Sequence, residues 1–351
     1  MPNAAKGEEN LADAIPLADM PLELIEDGMV APAGFGEAIA ERIESRDSFW
    51  FAGTEFTFMR VEPSTGGRIT LSFDDSNTAG VDYSVVAGEG TGMTAFAPRI
   101  WLGRQIGPRW GVVGRYWNLS DNIAQAPTNV VPPLTTFGTY TETNKVSLYV
   151  IDVEAVRSFD PGKWKFDGSF GARHASFSNE SALHAFGVIT TGHFANLLLS
   201  NGNSFDGTGV TGAVTARRGL GDSYASLFLS VRGSKMWGQS DSFGRAAGAV
   251  ASSPSAPLVG AATVTRNNAV ADMSIFECQS GVQWDVPLTI VEANAFLRFS
   301  FEYQNWIIDG PPTGGAGFGG TIGTLTTNSF SSAGIGNVHL YGAGISTGVT
   351  W

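Results

Sequence analysis

One cysteine, Cys278, stands in 351 residues, so no internal disulfide can staple the chain. Histidine is nearly as scarce, with four copies. No apolar run reaches the roughly 18 residues that a transmembrane helix needs. The nearest stretch, LHAFGVITTGHFANLLLS, is broken by His184, His193, Asn196 and two glycines. There is no basic excess either: the formal charge is -12 and no basic patch emerges, which argues against a nucleic-acid partner. The opening MPNAAKGEEN has no basic n-region and no apolar h-region, a pattern that counts against export. His184 and His193 could join His174 around a metal only if something fixed their geometry, and their spacing does not. No metal or cofactor is therefore expected.

Glycine, by contrast, is abundant at 45 copies, and aromatic residues make up 11%. Mean hydropathy is close to zero, at +0.03. Many aromatics at average hydropathy fit strands that are apolar on one side and polar on the other. The acid is concentrated early. Residues 1–47 hold eleven carboxylates against Lys6, Arg42 and Arg46. This segment reads as an acidic tail. GEAIAERIESR (36–46) is patterned for a short amphipathic helix, and the proline-broken remainder is expected to be disordered.

From residue 48 onward the sequence predicts strands at 48–61, 93–105, 109–120, 144–159, 163–178, 206–219, 222–237, 272–286, 290–307 and 337–351. GRITLSF (67–73) and VDYSVVAG (81–88) would raise the count from ten to twelve. Short turns at IGPR, DPGK, GLGD and VPLT alternate with long segments at 62–92, 121–143, 179–205, 238–271 and 308–336, which are expected to be loops. Strands of this length exceed the usual soluble strand but suit a tilted crossing of a bilayer. Short turns at one end and long loops at the other belong to outer-membrane barrels. The fold expected is all-β: a transmembrane antiparallel up-and-down barrel over 48–351, with short periplasmic turns and long extracellular loops. A soluble sandwich would instead have to pack its apolar faces against each other.

Splitting each strand by parity sharpens this, because alternate side chains point to opposite faces. In NAFLRFSFEYQNW, Ala295, Leu297, Phe299, Phe301 and Tyr303 oppose Arg298, Ser300, Glu302 and Gln304, with Phe296 and Trp306 on the polar side. In WKFDGSFGARHASF, Trp164, Phe166 and Phe170 oppose Lys165, Asp167 and Arg173. An arginine facing lipid at mid-bilayer costs about 2–4 kcal/mol. The charges are therefore expected to face a lumen: Glu55, Arg115, Asp152, Glu154, Arg173, Arg232, Glu277, Arg298 and Glu302. Their mixed signs predict a partly neutralised network, and aromatics near strand ends predict interfacial girdles. The chain ends GISTGVTW, and Trp351 is the candidate C-terminal signal for the barrel assembly machinery.

The ordered set KVSLYVIDVEAVRSFDPGKWKFDGSFGARHASF, SFDGTGVTGAVTARRGLGDSYASLFLSVRGSKMWG, ECQSGVQW…FLRFSFEYQNWI and GNVHLYGAGISTGVTW resembles the Legionella major-outer-membrane-protein type of pore-forming barrel, also represented among planctomycete outer-membrane proteins. The resemblance covers about residues 48–351. It implies a porin-like barrel in a Gram-negative-type outer membrane, with lipid as its surroundings, small solutes or ions as its cargo and no catalytic residues. The sequence departs from that pattern at His174, where a tyrosine would be expected.

Passive diffusion through a narrow lumen is the leading expectation, and a structural or surface-display barrel without an open pore is the alternative. A lipid-acting hydrolase is a third: His174 and Ser176 share the lipid-facing parity and Glu180 follows, a spacing in which a histidine could activate a serine. The simpler reading makes His174 an amphipathic girdle residue. TGGAGFGGTIG (313–323) resembles a phosphate loop in composition only, since no lysine follows, and is expected to be a flexible outer loop.

Overall fold

The computed structural model describes residues 48–63, 68–75, 82–87, 93–125, 129–130, 139–189, 193–221, 223–251, 259–288, 293–309, 315–322, 325–332 and 337–351. The acidic tail and its helix, expected within 1–47, lie outside the described residues.

All described elements are strands: β1 (Ser48–Pro63), β2 (Arg68–Asp75), β3 (Asp82–Ala87), β4 (Met93–Ile106), β5 (Trp110–Gln125), β6 (Asn129–Val130), β7 (Thr139–Phe159), β8 (Trp164–Ile189), β9 (His193–Gly219), β10 (Ala225–Ala251), β11 (Val259–Leu288), β12 (Ala293–Asp309), β13 (Gly315–Ile322), β14 (Leu325–Ser332) and β15 (Asn337–Thr350). Ten of them close a ring in the order β1-β4-β5-β7-β8-β9-β10-β11-β12-β15, antiparallel throughout, with β15 returning to β1. Each barrel strand pairs with its neighbours in sequence, which is the up-and-down topology expected. At three short connections the chain reverses through a glycine of positive φ, Gly107 (72°), Gly162 (68°) and Gly221 (62°). A side chain with a Cβ is strained in that conformation, so glycine is what these tight reversals require.

Three expectations need correction. GRITLSF and VDYSVVAG do form strands, β2 and β3, but these join β6, β13 and β14 in a separate five-stranded sheet, β13-β14-β2-β3-β6. They add nothing to the barrel count. The long loops expected at 179–205 and 238–271 are largely strand. The β8–β9 ladder runs out to Ile189↔His193, and the β10–β11 ladder to Val250↔Val259. The physical reason is visible in burial. Leu183, Ala185, Ala195, Leu197 and Leu199 keep the inward-facing parity and are buried, so the alternation of the barrel continues beyond it. β13 likewise occupies most of the glycine-rich stretch read as a flexible loop. It lies with β14 against β9, β10 and β11, so the second sheet is braced by the extension.

The outer face carries a belt of exposed apolar side chains. Phe56, Phe58, Ile100, Leu102, Ile151, Val153, Phe170, Val214, Leu229, Phe299 and Phe301 are among them. Aromatics edge the belt at both ends. Trp50, Trp110, Trp164, Tyr224, Trp284 and Trp351 lie toward the short turns. Tyr149, Tyr303 and Tyr341 lie toward the long strands, each hydrogen-bonded to a polar neighbour: His174, His339 and Glu62 respectively. About ten residues separate the two edges along β8 (Trp164 to His174) and β15 (Tyr341 to Trp351). With a rise of about 3.3 Å per residue and a tilt near 40°, the belt is about 25 Å tall, the height of a barrel's lipid-facing band.

Candidate functional site

The interior is built in tiers. Nearest the turns, Phe51, Trp101 and Phe296 point inward. Trp101 lies over Gly53 and Phe51 over Gly103, where a Cβ would fall within 2.3 and 2.2 Å of the rings. Only glycine lets these rings lie flat on the neighbouring strand. Arg298 sits among them. Its guanidinium lies 4.3 Å from the Phe228 ring centre and 5.3 Å from that of Phe296, and it donates to Gln283 Oε1 at 2.6 Å. Beside this floor, Arg217 pairs with Asp167 at 2.7 Å.

The next tier is charged. Arg99 bridges Glu55 and Glu302, at 2.6 Å to each. Gln279 and Ser300 donate to the other oxygen of Glu55. Gln304 donates to Glu302 at 2.7 Å and accepts from the Trp306 indole at 2.8 Å. Arg173 forks onto Asp152, with Nε to Oδ1 at 2.7 Å and Nη2 to Oδ2 at 2.9 Å, and its remaining nitrogen reaches Glu277. Glu154 accepts from both Arg115 and Arg232, and Arg232 also donates to Thr211 at 3.1 Å. Nine strands contribute. The tenth, β15, presents Gly342 and Gly344 at this height, which makes room. Five carboxylates face four guanidiniums, each with a partner of opposite sign. This is the condition under which buried charge is tolerated.

The third tier, toward the long strands, is apolar. Met59 and Val61 (β1), Ala95 and Ala97 (β4), Trp117 and Leu119 (β5), Leu148 and Val150 (β7), Ala175 and Phe177 (β8), Phe205 (β9), Met236 (β10), Met273 and Ile275 (β11), Trp306 and Ile308 (β12) and Val338 and Leu340 (β15) form one cluster. All ten barrel strands take part. Trp117 and Trp306 meet with ring centres 5.9 Å apart. Met59, Leu119, Leu148, Met236, Met273 and Leu340 are each 0% exposed. A side chain lining a water-filled channel would be wetted. This tier is dry.

Each of the nine charges picked out by sequence lies on the interior face. Eight of them, Glu55, Arg115, Asp152, Glu154, Arg173, Arg232, Glu277 and Glu302, are joined in the network, while Arg298 sits one step nearer the turns. The sequence reading missed Arg99, the residue that links Glu55 to Glu302. Its parity with Ala97 and Trp101, against Phe96, Ile100 and Leu102, would have found it. It also missed the apolar tier.

The remaining candidates lie elsewhere. His174 and Ser176 are on the outer face. His174 Nε2 is engaged by the Tyr149 hydroxyl at 3.0 Å, and the carboxylate near it is Asp206, at 3.7 Å, rather than Glu180. His184 shares a hydrogen bond with Asn196 at 3.0 Å. Among the described residues no three metal-ligating side chains converge. Trp351 closes the ring: its amide and carbonyl exchange hydrogen bonds with Trp50, both at 2.9 Å.

No family model and no curated protein sequence matches the chain. Among solved structures it is similar to a Pseudomonas aeruginosa FadL homologue, with 8% identity over 88% of this chain and 91% of that one, TM-score 0.29. It is also similar to the outer membrane protein OprG from Pseudomonas aeruginosa, with 10% identity over 86% and 98%, TM-score 0.27. A third is Ail, the attachment invasion locus protein of Yersinia pestis, with 8% identity over 85% and 99%, TM-score 0.25.

Proposed function

We propose that the chain is an outer-membrane barrel of a Gram-negative-type bacterium, closed along its axis, that holds its long hairpins and five-stranded sheet at the extracellular side. The apolar tier carries this reading. Side chains from all ten strands fill the cross-section, and passive diffusion of a hydrophilic solute needs water where they stand. The lipid-facing belt supports membrane insertion, as does the resemblance of the ordered strand segments to the Legionella type of barrel. Outer-membrane lipid and the barrel assembly machinery are the partners this reading implies, with Trp351 at the seam that assembly must close.

A pore for small solutes or ions is the second reading. It is favoured by the charged tier, where the Arg115 side chain keeps 25% of its exposure and that of Glu277 15%. On that reading the apolar tier is a gate. Planar-bilayer conductance of the refolded barrel separates the two. The closed-barrel reading expects no steady steps from the native chain, and small steps from a Trp117→Ala, Trp306→Ala double variant. Steady steps from the native chain, with ion selectivity that shifts in Arg298→Ala, Glu302→Ala, would replace it with the porin reading.

A further inference from the structure

The turn-side edge of the belt repeats one arrangement three times. Trp50 pairs directly across the strands with Arg104, Trp110 with Arg157, and Trp164 with Arg218. In each pair the guanidinium stacks over the indole, at 5.3, 5.1 and 5.4 Å from the ring centre. All six side chains are on the outer face and exposed or nearly so. Among the described residues none of the three arginines has a carboxylate at ion-pair distance.

Their depth is set by their neighbours of the same parity. Arg104 lies between Leu102 and Ile106, Arg157 between Ala155 and Phe159, and Arg218 between Ala216 and Leu220. Apolar outward side chains continue on the turn side of each arginine, so the guanidiniums lie within the edge of the belt rather than beyond it. A cation held there without an internal counter-ion needs an anion from its surroundings. The tryptophan face supplies part of the attraction but no charge. A planar guanidinium matches a phosphate in a two-pronged hydrogen bond, and tryptophan is at home at headgroup depth.

We propose that these three Arg–Trp pairs are binding sites for the phosphate of anionic glycerophospholipid in the turn-side leaflet. The sites occupy one arc of the barrel, since β1/β4, β5/β7 and β8/β9 follow one another round the ring. On the opposite arc Trp284 faces Ala225 across the strands, and no outward arginine lies at the turn-side edge among the described residues. The chain therefore has a lipid-selecting side and a neutral side.

This rests on the membrane reading, and the test keeps the two apart. The refolded chain is inserted into phosphatidylcholine vesicles containing brominated phosphatidylglycerol or brominated phosphatidylcholine, and tryptophan quenching gives the relative affinity for the two headgroups. A protease-protection assay on the same vesicles reports insertion. An interfacial basic residue favours anionic lipid by about fivefold. The native chain is expected to prefer phosphatidylglycerol at these sites by about that factor each. Arg104→Gln, Arg157→Gln, Arg218→Gln is expected to bring the ratio to about one, while the matching lysine triple retains most of it. A native chain that inserts with no preference, or a glutamine triple that keeps the native ratio, overturns the lipid sites alone. A native chain that inserts into neither vesicle overturns the membrane reading and the sites with it.

Discussion

Halfway along the same ten strands the interior of this barrel changes its chemistry. The turn-side half holds arginines and carboxylates in a closed set of ion pairs, and the far half holds methionine, leucine, valine and tryptophan in a dry cluster. Both halves obey one parity rule and one register. They differ in what each contact asks of its partner. Apolar packing is non-directional and tolerates exchange among side chains of similar volume. The charged tier is all-or-nothing, because each of its four guanidiniums is acceptable only while its carboxylates are in place. The apolar tier thus seals, and the charged tier fixes which strands stand opposite one another.

Glu154 offers the hardest test of that contrast. It is buried and serves both Arg115 and Arg232. Glu154→Ala leaves two guanidiniums without their main acceptor, and is expected to cost about 3–5 kcal/mol, the range for breaking one side of a buried pair. Urea unfolding followed by the heat-modifiable gel shift measures it. A loss under ~1 kcal/mol would mean that water already reaches the tier. Leu340→Ala should cost about 2–5 kcal/mol through the cavity it leaves, with no change in salt dependence. If the loss varied strongly with ionic strength, the two tiers would not be separable. The smallest effect belongs outside the barrel interior. Lys235 meets Asp272 at 3.3 Å on the outer face, with both side chains well exposed. Lys235→Ala should change stability by less than about 1 kcal/mol, and less still at high salt.

The contrast also explains what could be read from sequence. Where a strand faces lipid on one side and charge on the other, the alternation is plain, as at Phe299 and Phe301 against Arg298 and Glu302. Where it faces lipid outside and the dry tier inside, both parities are apolar and the pattern fades. In SLYVIDVEAV, Leu148 and Val150 point inward and Tyr149 and Ile151 outward, yet the four read as one greasy run. The seal was therefore hidden by the rule that revealed the charges. The long hairpins were obscured by composition instead. Asn201, Gly202, Asn203 and Ser204 read as loop, although register and backbone hydrogen bonds hold them in strand. Nothing in local sequence places β2 against β14, or β3 between β2 and β6, rather than beside a barrel strand; that choice is made by contacts distant in the chain.

The seam between Trp50 and Trp351 has a kinetic consequence. Nearly the whole described chain separates these two residues, and their pair of hydrogen bonds joins the first strand to the last. Nine hairpin-like pairings can form between sequence neighbours, but the tenth waits until the final strand has arrived. Pairings of such long range are slow to form. Until then β1 and β15 each present an open edge, a template for any other strand. The time the barrel spends unclosed, rather than the stability of the closed ring, is where a helper that shields an edge would have the most to gain.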